Sequence, residues 1–238
     1  MRRRPAATGK AGSSADDLLS LIADLSRHYS FQAPLSDPLS LILWENIGYL
    51  IDDARRQALF DEFRSRIGIH AEKIARAPHA LLLDIARRGG MRPETRVERW
   101  RCIAEIVLDA CGGDLLAALR ELPASKARTL LKRFPSIGDP GADRILLFCR
   151  IDARPSLDSN GLRTLVRLGF VVPGSSYSVT YRAAIACLDR TGPRKADWLI
   201  SAHMLLREHG RNLCKRAVPL CLACPVDKAC AHAPAAGL

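Results

Sequence analysis

His209-Gly210-Arg211-Asn212-Leu213-Cys214, followed by Cys221, Cys224-Pro225 and Cys230, gathers four of the eight cysteines into a C-x6-C-x2-C-x5-C run near the end of the chain. The four thiols are close enough in sequence for one loop to wrap a single metal centre. Thiolates are soft donors that suit zinc and iron–sulfur clusters alike, and both accept four cysteines, so donor chemistry by itself leaves the metal open. Spacing says more. Zinc sites usually pair their cysteines as two short knuckles, whereas here only Cys221 and Cys224 form one and the other intervals are longer. The remaining four, Cys102, Cys111, Cys149 and Cys187, stand singly in apolar stretches, as reduced cysteines of a cytosolic protein do.

Upstream of the run, helical periodicity covers about Lys195–Glu208 and Ser178–Leu188. Before these comes Leu157-Asp158-Ser159-Asn160-Gly161-Leu162-Arg163, an acid set directly ahead of a helix through Leu162, Leu165 and Val166. By itself Asp158 reads as an N-cap, whose side chain satisfies orphan amides. Further upstream a helix over about Ala124–Arg133 turns Leu130 and Leu131 inward and Lys126, Arg128, Lys132 and Arg133 outward. It is followed by Phe134-Pro135-Ser136-Ile137-Gly138-Asp139-Pro140-Gly141-Ala142 and a second helix through Ile145, Leu146 and Phe148. Helix, tight glycine turn, helix is an arrangement in which backbone N–H groups and a helix N-terminus can grip a phosphate. Asp139 and Pro140 suit the N-cap and first position of that second helix.

The first half reads as helix after helix. Asp37-Pro38 opens a helix, Leu39 to about Ile51, that is apolar nearly all round and contains Glu45; an acid there is ordinarily exposed or cap-paired. Helices follow over about Asp53–Ile67, around residues 71–77 and 79–88, and from Pro93 to Cys111, where Arg92, Arg96, Arg99 and Arg101 crowd the start, either solvated or held for phosphate contact. No β-alternation interrupts the pattern, so the fold class is all-α. Residues 1–14, rich in Arg, Ala, Gly and Ser, are expected to be a disordered basic leader, and Ser14–Tyr29 a helix.

Composition narrows the partner. Across 238 residues, Lys and Arg outnumber Asp and Glu by 36 to 25, a formal charge of +11, so an anionic partner is expected, with nucleic acid first. A membrane surface is disfavoured, since no apolar run is long enough to span a bilayer and no basic amphipathic tail stands out. Met1-Arg2-Arg3-Arg4 has the charge of a signal peptide, but Pro5 to Asp17 lacks the apolar core of one.

The cysteine run with its His-Gly-Arg prefix resembles the [4Fe-4S] loop of the endonuclease III family of DNA glycosylases. The Phe134–Ala142 turn resembles that superfamily's helix-hairpin-helix, in which a Leu-Pro-Gly-Val-Gly pattern precedes the second helix. Two departures follow: Ser136 stands at the first hairpin glycine, and Pro140 stands where bifunctional members carry their Schiff-base lysine. The resemblance spans roughly residues 15–232. It implies a two-domain fold, with a six-helix barrel bearing the hairpin over about 36–150 and an iron–sulfur domain formed by 15–35 and 151–238.

The family's essential aspartate lies at the separation from the hairpin that Asp158 has, and Glu45 falls where related adenine glycosylases carry a proton-donating glutamate. What the resemblance implies is therefore specific. Cys214, Cys221, Cys224 and Cys230 hold a [4Fe-4S] cluster; Ser136, Ile137, Gly138, Gly141, Lys215 and Arg216 contact the backbone of double-stranded DNA; Asp158 steadies the sugar cation or activates water; Glu45 protonates the leaving base. With no amine at Pro140, the expected activity is base removal by hydrolysis in a cytoplasmic, nucleoid-associated monomer of base-excision repair. The rival readings are a non-catalytic protein that binds distorted DNA and a lyase that uses another amine, such as Lys126 or Lys132. Tyr49-Leu50-Ile51-Asp52 does not keep the glutamine pair the family often uses beside an extruded base.

Overall fold

The computed structural model describes residues 14–232, so of the expected basic leader only Ser14 lies within the described residues. Among these are twelve α-helices, two short 3-10 turns in the cysteine-rich segment and one isolated parallel bridge, Tyr49 to Gly90. The chain divides into two compact units: residues 34–152, and the described residues before 34 together with those after 152.

The first unit holds α2 (Pro38–Asn46), α3 (Asp53–Arg66), α4 (Ala71–Arg76), α5 (His79–Arg88), α6 (Pro93–Cys111), α7 (Leu115–Glu121), α8 (Ala124–Leu131) and α9 (Asp139–Phe148). Its core is built from Ile42, Leu43, Phe60, Phe63, Trp100, Ile103, Ile145 and Leu146, all buried. Trp100 lies edge-on to Phe63 with ring centroids 4.8 Å apart, and its indole N–H donates to Asn46 O at 3.2 Å, so its polar end is satisfied within the core.

Four sequence expectations shift. The helix opened by Asp37 stops at Asn46 rather than near Ile51. Beyond Gly48 the backbone finds another partner: Tyr49 N–H donates to Gly89 O at 2.9 Å, and Leu50 is left-handed at φ 55°. The opposing Gly90 has φ 89°, and a Cβ there would come within 2.4 Å of Tyr49 O, so a side chain at 90 would push this pairing apart.

Of the four arginines at the start of α6, Arg92 and Arg99 are exposed, whereas Arg96 and Arg101 are neither solvated nor free for phosphate. Arg96 is buried and donates to Ala86 O at 2.6 Å and Met91 O at 2.9 Å, while Arg101 donates to Ala75 O and Ala77 O at 2.9 and 3.0 Å. Both close carbonyls left open at helix ends and turns. Arg128, expected to face outward, instead bonds the buried Asp143 at 2.6 Å, because a carboxylate inside α9 needs a cationic partner. α9 also begins one residue earlier than expected, with Gly138 as its N-cap and Asp139 as its first residue.

The second unit packs α1 (Ala15–His28), α10 (Ser159–Leu168), α11 (Tyr177–Thr191) and α12 (Ala196–Asn212) around Leu18, Ile22, Leu25, Leu162, Leu165, Leu205 and Leu206. α1 carries a full capping box, with Ser14 and Asp17 each accepting the other's backbone N–H. α10 and α12 come close together at Gly210, where an added Cβ would sit 2.7 Å from Asn160 O. The glycine of the His-Gly-Arg prefix therefore lets the end of α12 reach the start of α10.

Truncating Trp100 to Ala removes a fully buried ring and its hydrogen bond to Asn46. Chemical unfolding is expected to register a loss of about 3–5 kcal/mol, and a loss below about 1 kcal/mol would contradict this packing.

Candidate functional site

Asp158 is the N-cap of α10. Its Oδ1 accepts the Gly161 N–H at 2.7 Å and its Oδ2 accepts the Asn160 amide at 3.0 Å, with Arg207 Nε 3.6 Å from Oδ2. The side chain is 18% exposed, so the carboxylate is fixed yet reachable. Cap and reactive acid are compatible roles, because capping holds the group in one orientation.

Hydrogen bonds run from that cap to the cysteine loop. Arg163, one turn into α10, donates from Nη2 to Asn160 Oδ1 at 2.9 Å and to Gly210 O at 2.7 Å, and from Nε to Cys214 O at 2.9 Å. Arg167, four residues on and hence on the same face, donates to Lys215 O at 2.6 Å and Arg216 O at 3.0 Å and lies 3.5 Å from Cys214 Sγ. The two guanidiniums thus fix the backbone of residues 210–216, and the side chains of Lys215 and Arg216 remain exposed on that loop.

Cys214, Cys221, Cys224 and Cys230 line one small cavity with Arg167, His209 and Leu213. Burial pushes the Cys224 thiol above its ordinary range; the Val226 N–H pulls it back and the other three thiols push it further up. Among the described residues no three of His, Cys, Asp and Glu are arranged to hold a metal ion. Four soft donors around a common space are a donor set that zinc and iron–sulfur clusters both accept.

His209 sits behind them. Its Nδ1 is 3.0 Å from the Tyr29 hydroxyl and its Nε2 3.7 Å from Cys224 Sγ. Burial, with a smaller push from His28, brings the imidazole down to about 4, and burial followed by Cys224, Glu208 and Cys214 raises Tyr29 to about 12. A neutral imidazole accepting from Tyr29 directs its Nε2–H toward Cys224.

The hairpin lies in the first unit. Ser136 and Gly138 are exposed, while the Ile137 side chain is buried and Gly141 lies against it, so Ile137 offers the surface its backbone only. Ser136 adopts φ 64°, the left-handed conformation a glycine would take without strain. Two contacts hold it there: Arg99 donates to Ser136 Oγ at 3.2 Å, and the buried Asn46 amide donates to Pro135 O at 2.9 Å. Asp139 puts a negative charge at the start of α9, and Lys132 Nζ at 2.9 Å and Arg128 at 3.2 Å offset it. The ion pair with Lys132, aided by Arg128, holds Asp139 below the ordinary carboxylate range.

Glu45 faces neither a helix cap nor open solvent. It is one-third exposed, and its Oε1 lies 2.8 Å from Arg144 Nη2 on α9. Beside it in sequence, the Ile47–Ile51 turn carries Tyr49 and Leu50 at 60% and 78% exposure, with Met91 at 62% next to the paired Gly90. Sequence reading missed this apolar tip. Its one available signal was Gly48 interrupting an apolar run opposite Gly89-Gly90. Arg163 and Arg167 were legible only as an i, i+4 pair on the helix that Asp158 opens.

No family model matches the chain. Over 174 residues it is 27% identical to a protein named endonuclease III from Sulfolobus acidocaldarius, covering 73% of this chain and 72% of that one. Over 177 residues it is 25% identical to a thymine-DNA glycosylase from Aeropyrum pernix, covering 71% and 75%. Among solved structures, a trapped endonuclease III–DNA covalent intermediate superposes with TM-score 0.73 over 93% of this chain and 98% of that one, at 16% identity. The chain has the all-α endonuclease III-like fold. The endonuclease III-like fold extends to a thermostable thymine-DNA glycosylase, with TM-score 0.71, 15% identity and coverage of 90% and 94%.

Replacing Arg163 with Met leaves Gly210 O, Cys214 O and the Asn160 amide without their shared donor. The second unit is expected to lose on the order of 2 kcal/mol, with faster hydrogen exchange at Leu213, Cys214 and Lys215. Unchanged protection there would contradict the clamp.

Proposed function

We propose that this chain is a monofunctional DNA glycosylase, which hydrolyses the N-glycosidic bond of a damaged or mismatched base in duplex DNA. The observation that carries the reading is Asp158: a partly shielded carboxylate, oriented by Gly161 N–H and Asn160 and tied through Arg163 to the cysteine loop, in a chain of this fold. As the bond breaks, positive charge develops on the sugar, and a rigid carboxylate stabilises it or takes a proton from the attacking water. Glu45 is the base-side carboxyl, the group the resemblance assigns to proton transfer to the leaving base.

Pro140 carries no amine, so an imine cannot form at that position. Lys132 is engaged with Asp139 at 2.9 Å, which argues against its serving as a substitute. The exposed backbone of Ser136 and Gly138, the start of α9 at Gly141, and the Lys215 and Arg216 side chains would hold phosphates, and Leu50 and Met91 on the apolar tip would enter the base stack where a nucleotide leaves it.

Cys214, Cys221, Cys224 and Cys230 would hold the [4Fe-4S] cluster. When bound, it supplies a cross-link that fixes the loop, with all four ligand positions taken by the chain. The protein acts as a monomer on double-stranded DNA in the cytoplasm, associated with the nucleoid. Among the described residues no helix is long and apolar enough to cross a membrane.

Single-turnover release of free base from a panel of damaged and mismatched duplexes tests the activity. Asp158→Asn is expected to slow release about a hundredfold or more while DNA binding persists, and borohydride is expected to trap no adduct on abasic DNA. No release from any duplex would leave a DNA-binding protein without chemistry, and a trapped adduct would make it a lyase. Iron and acid-labile sulfide are expected in anaerobically purified protein; zinc alone would contradict the cluster assignment.

A further inference from the structure

We infer that Arg99, latched by the Ser136 hydroxyl, grips a DNA phosphate at the hairpin, work that backbone N–H groups do in a glycine turn. This rests on the DNA-glycosylase reading and deepens it by naming a side chain that binds the substrate's backbone.

The backbone of this hairpin is a poor anion site by itself. Pro140 removes one N–H from the first turn of α9, and Asp139 sets a carboxylate, 43% exposed, at the first residue of that helix. Lys132 and Arg128 offset the charge at 2.9 and 3.2 Å, and Arg128 is committed to Asp143 besides, so both cations are spent on carboxylates rather than held for a phosphate. Ser136 adds a second irregularity. It stands left-handed at φ 64°, where glycine would sit without strain, and a side chain kept at such a position calls for a task that the side chain performs.

That task is to hold an arginine. The Ser136 hydroxyl accepts from Arg99 Nη1 at 3.2 Å, across 37 residues of sequence and within the first unit. Arg99 lies in the second turn of α6 and is exposed. Among the described residues no carboxylate pairs with it, in contrast to Lys132 and Arg128. The corner is cationic as well: burial first, and then Arg99 and Arg56, lower the Arg96 guanidinium.

A guanidinium whose fixed partner is a neutral hydroxyl keeps its full charge and most of its N–H donors, and its planar fork suits two oxygens of one phosphodiester. Anchoring one N–H on the turn also reduces the side-chain freedom lost when the phosphate arrives. Serine thus gives this hairpin what a glycine could not: a side-chain cation tied to the turn, in place of the amide that Pro140 lacks.

Equilibrium binding to an undamaged DNA duplex, measured by fluorescence anisotropy between about 50 and 200 mM salt, tests the latch. Arg99→Met is expected to weaken binding about tenfold at the lowest salt and to make log K against log salt shallower by about 0.9, the share of one phosphate. Ser136→Gly relieves the left-handed strain, so it is expected to keep or raise the melting temperature while weakening binding about threefold. In the double variant Arg99→Met/Ser136→Gly the serine change is expected to cost no further affinity, because it acts through Arg99. Affinity lost without stability lost is a pairing that a purely structural serine does not give. Melting curves establish that each variant is folded, and Arg99→Gln, also uncharged, is expected to give the same change of slope if the methionine variant is not.

A salt slope unchanged in Arg99→Met, Ser136→Gly binding as tightly as wild type, or the serine change weakening the double variant as much as it weakens wild type would each overturn the inference. Base release from the panel of damaged and mismatched duplexes, measured alongside, keeps the two readings apart. A shallower slope in Arg99→Met with no release by wild type would support the phosphate contact and sink the glycosylase. Release by wild type with the slope unchanged in Arg99→Met would do the reverse.

Discussion

Two guanidiniums on one helix face hold the second unit's functional parts in register. Arg163 and Arg167 bond the carbonyls of Gly210, Cys214, Lys215 and Arg216, which the end of α12 and the loop after it would otherwise leave open. Hydrogen bonds from charged donors are among the stronger ones available in a fold, and several converge here on one short segment. The helix supplying them begins at Asp158. Asp158 and the thiol-bearing loop are therefore set by the same rigid element, and the carboxylate inherits whatever order the loop has.

That geometry depends on a small residue. Because Gly210 has no Cβ, the end of α12 can meet Asn160, the residue that links Asp158 to Arg163. The His-Gly-Arg prefix thus acquires a physical meaning beyond its value as a signature: the histidine faces Tyr29 and Cys224, and the glycine admits the neighbouring helix. In the first unit an equivalent demand is met less easily. Ser136 occupies a left-handed position without being glycine, and Arg99 and the Asn46 amide hold the turn in place.

Much of this was legible in the sequence. The all-α class followed from uninterrupted helical periodicity. The association of the four thiols followed from their spacing, and Asp158 as an N-cap followed from an acid ahead of Leu162 and Leu165. What escaped were contacts whose partners are remote in sequence. Arg96 and Arg101 looked like a basic helix start and proved to be donors to backbone carbonyls, because hydrophobic patterning does not reveal which backbone oxygens a fold leaves open. Glu45 was readable as an acid in an apolar helix, but its partner lies 99 residues away, on α9. The apolar tip was hidden because Ile47–Ile51 continues a helical hydrophobic pattern, and only the tertiary pairing with Gly89 and Gly90 ends it.

The account stands on α10 joining the acid to the thiol loop as one body. Native-state hydrogen exchange at Gly161, whose amide caps on Asp158, and at Cys214, whose amide donates to His209 O, measures this directly. Both amides are predicted to open with the same free energy and to shift together when Arg163 is replaced by Met. Independent opening, with Cys214 exchanging freely while Gly161 keeps its protection, would contradict it.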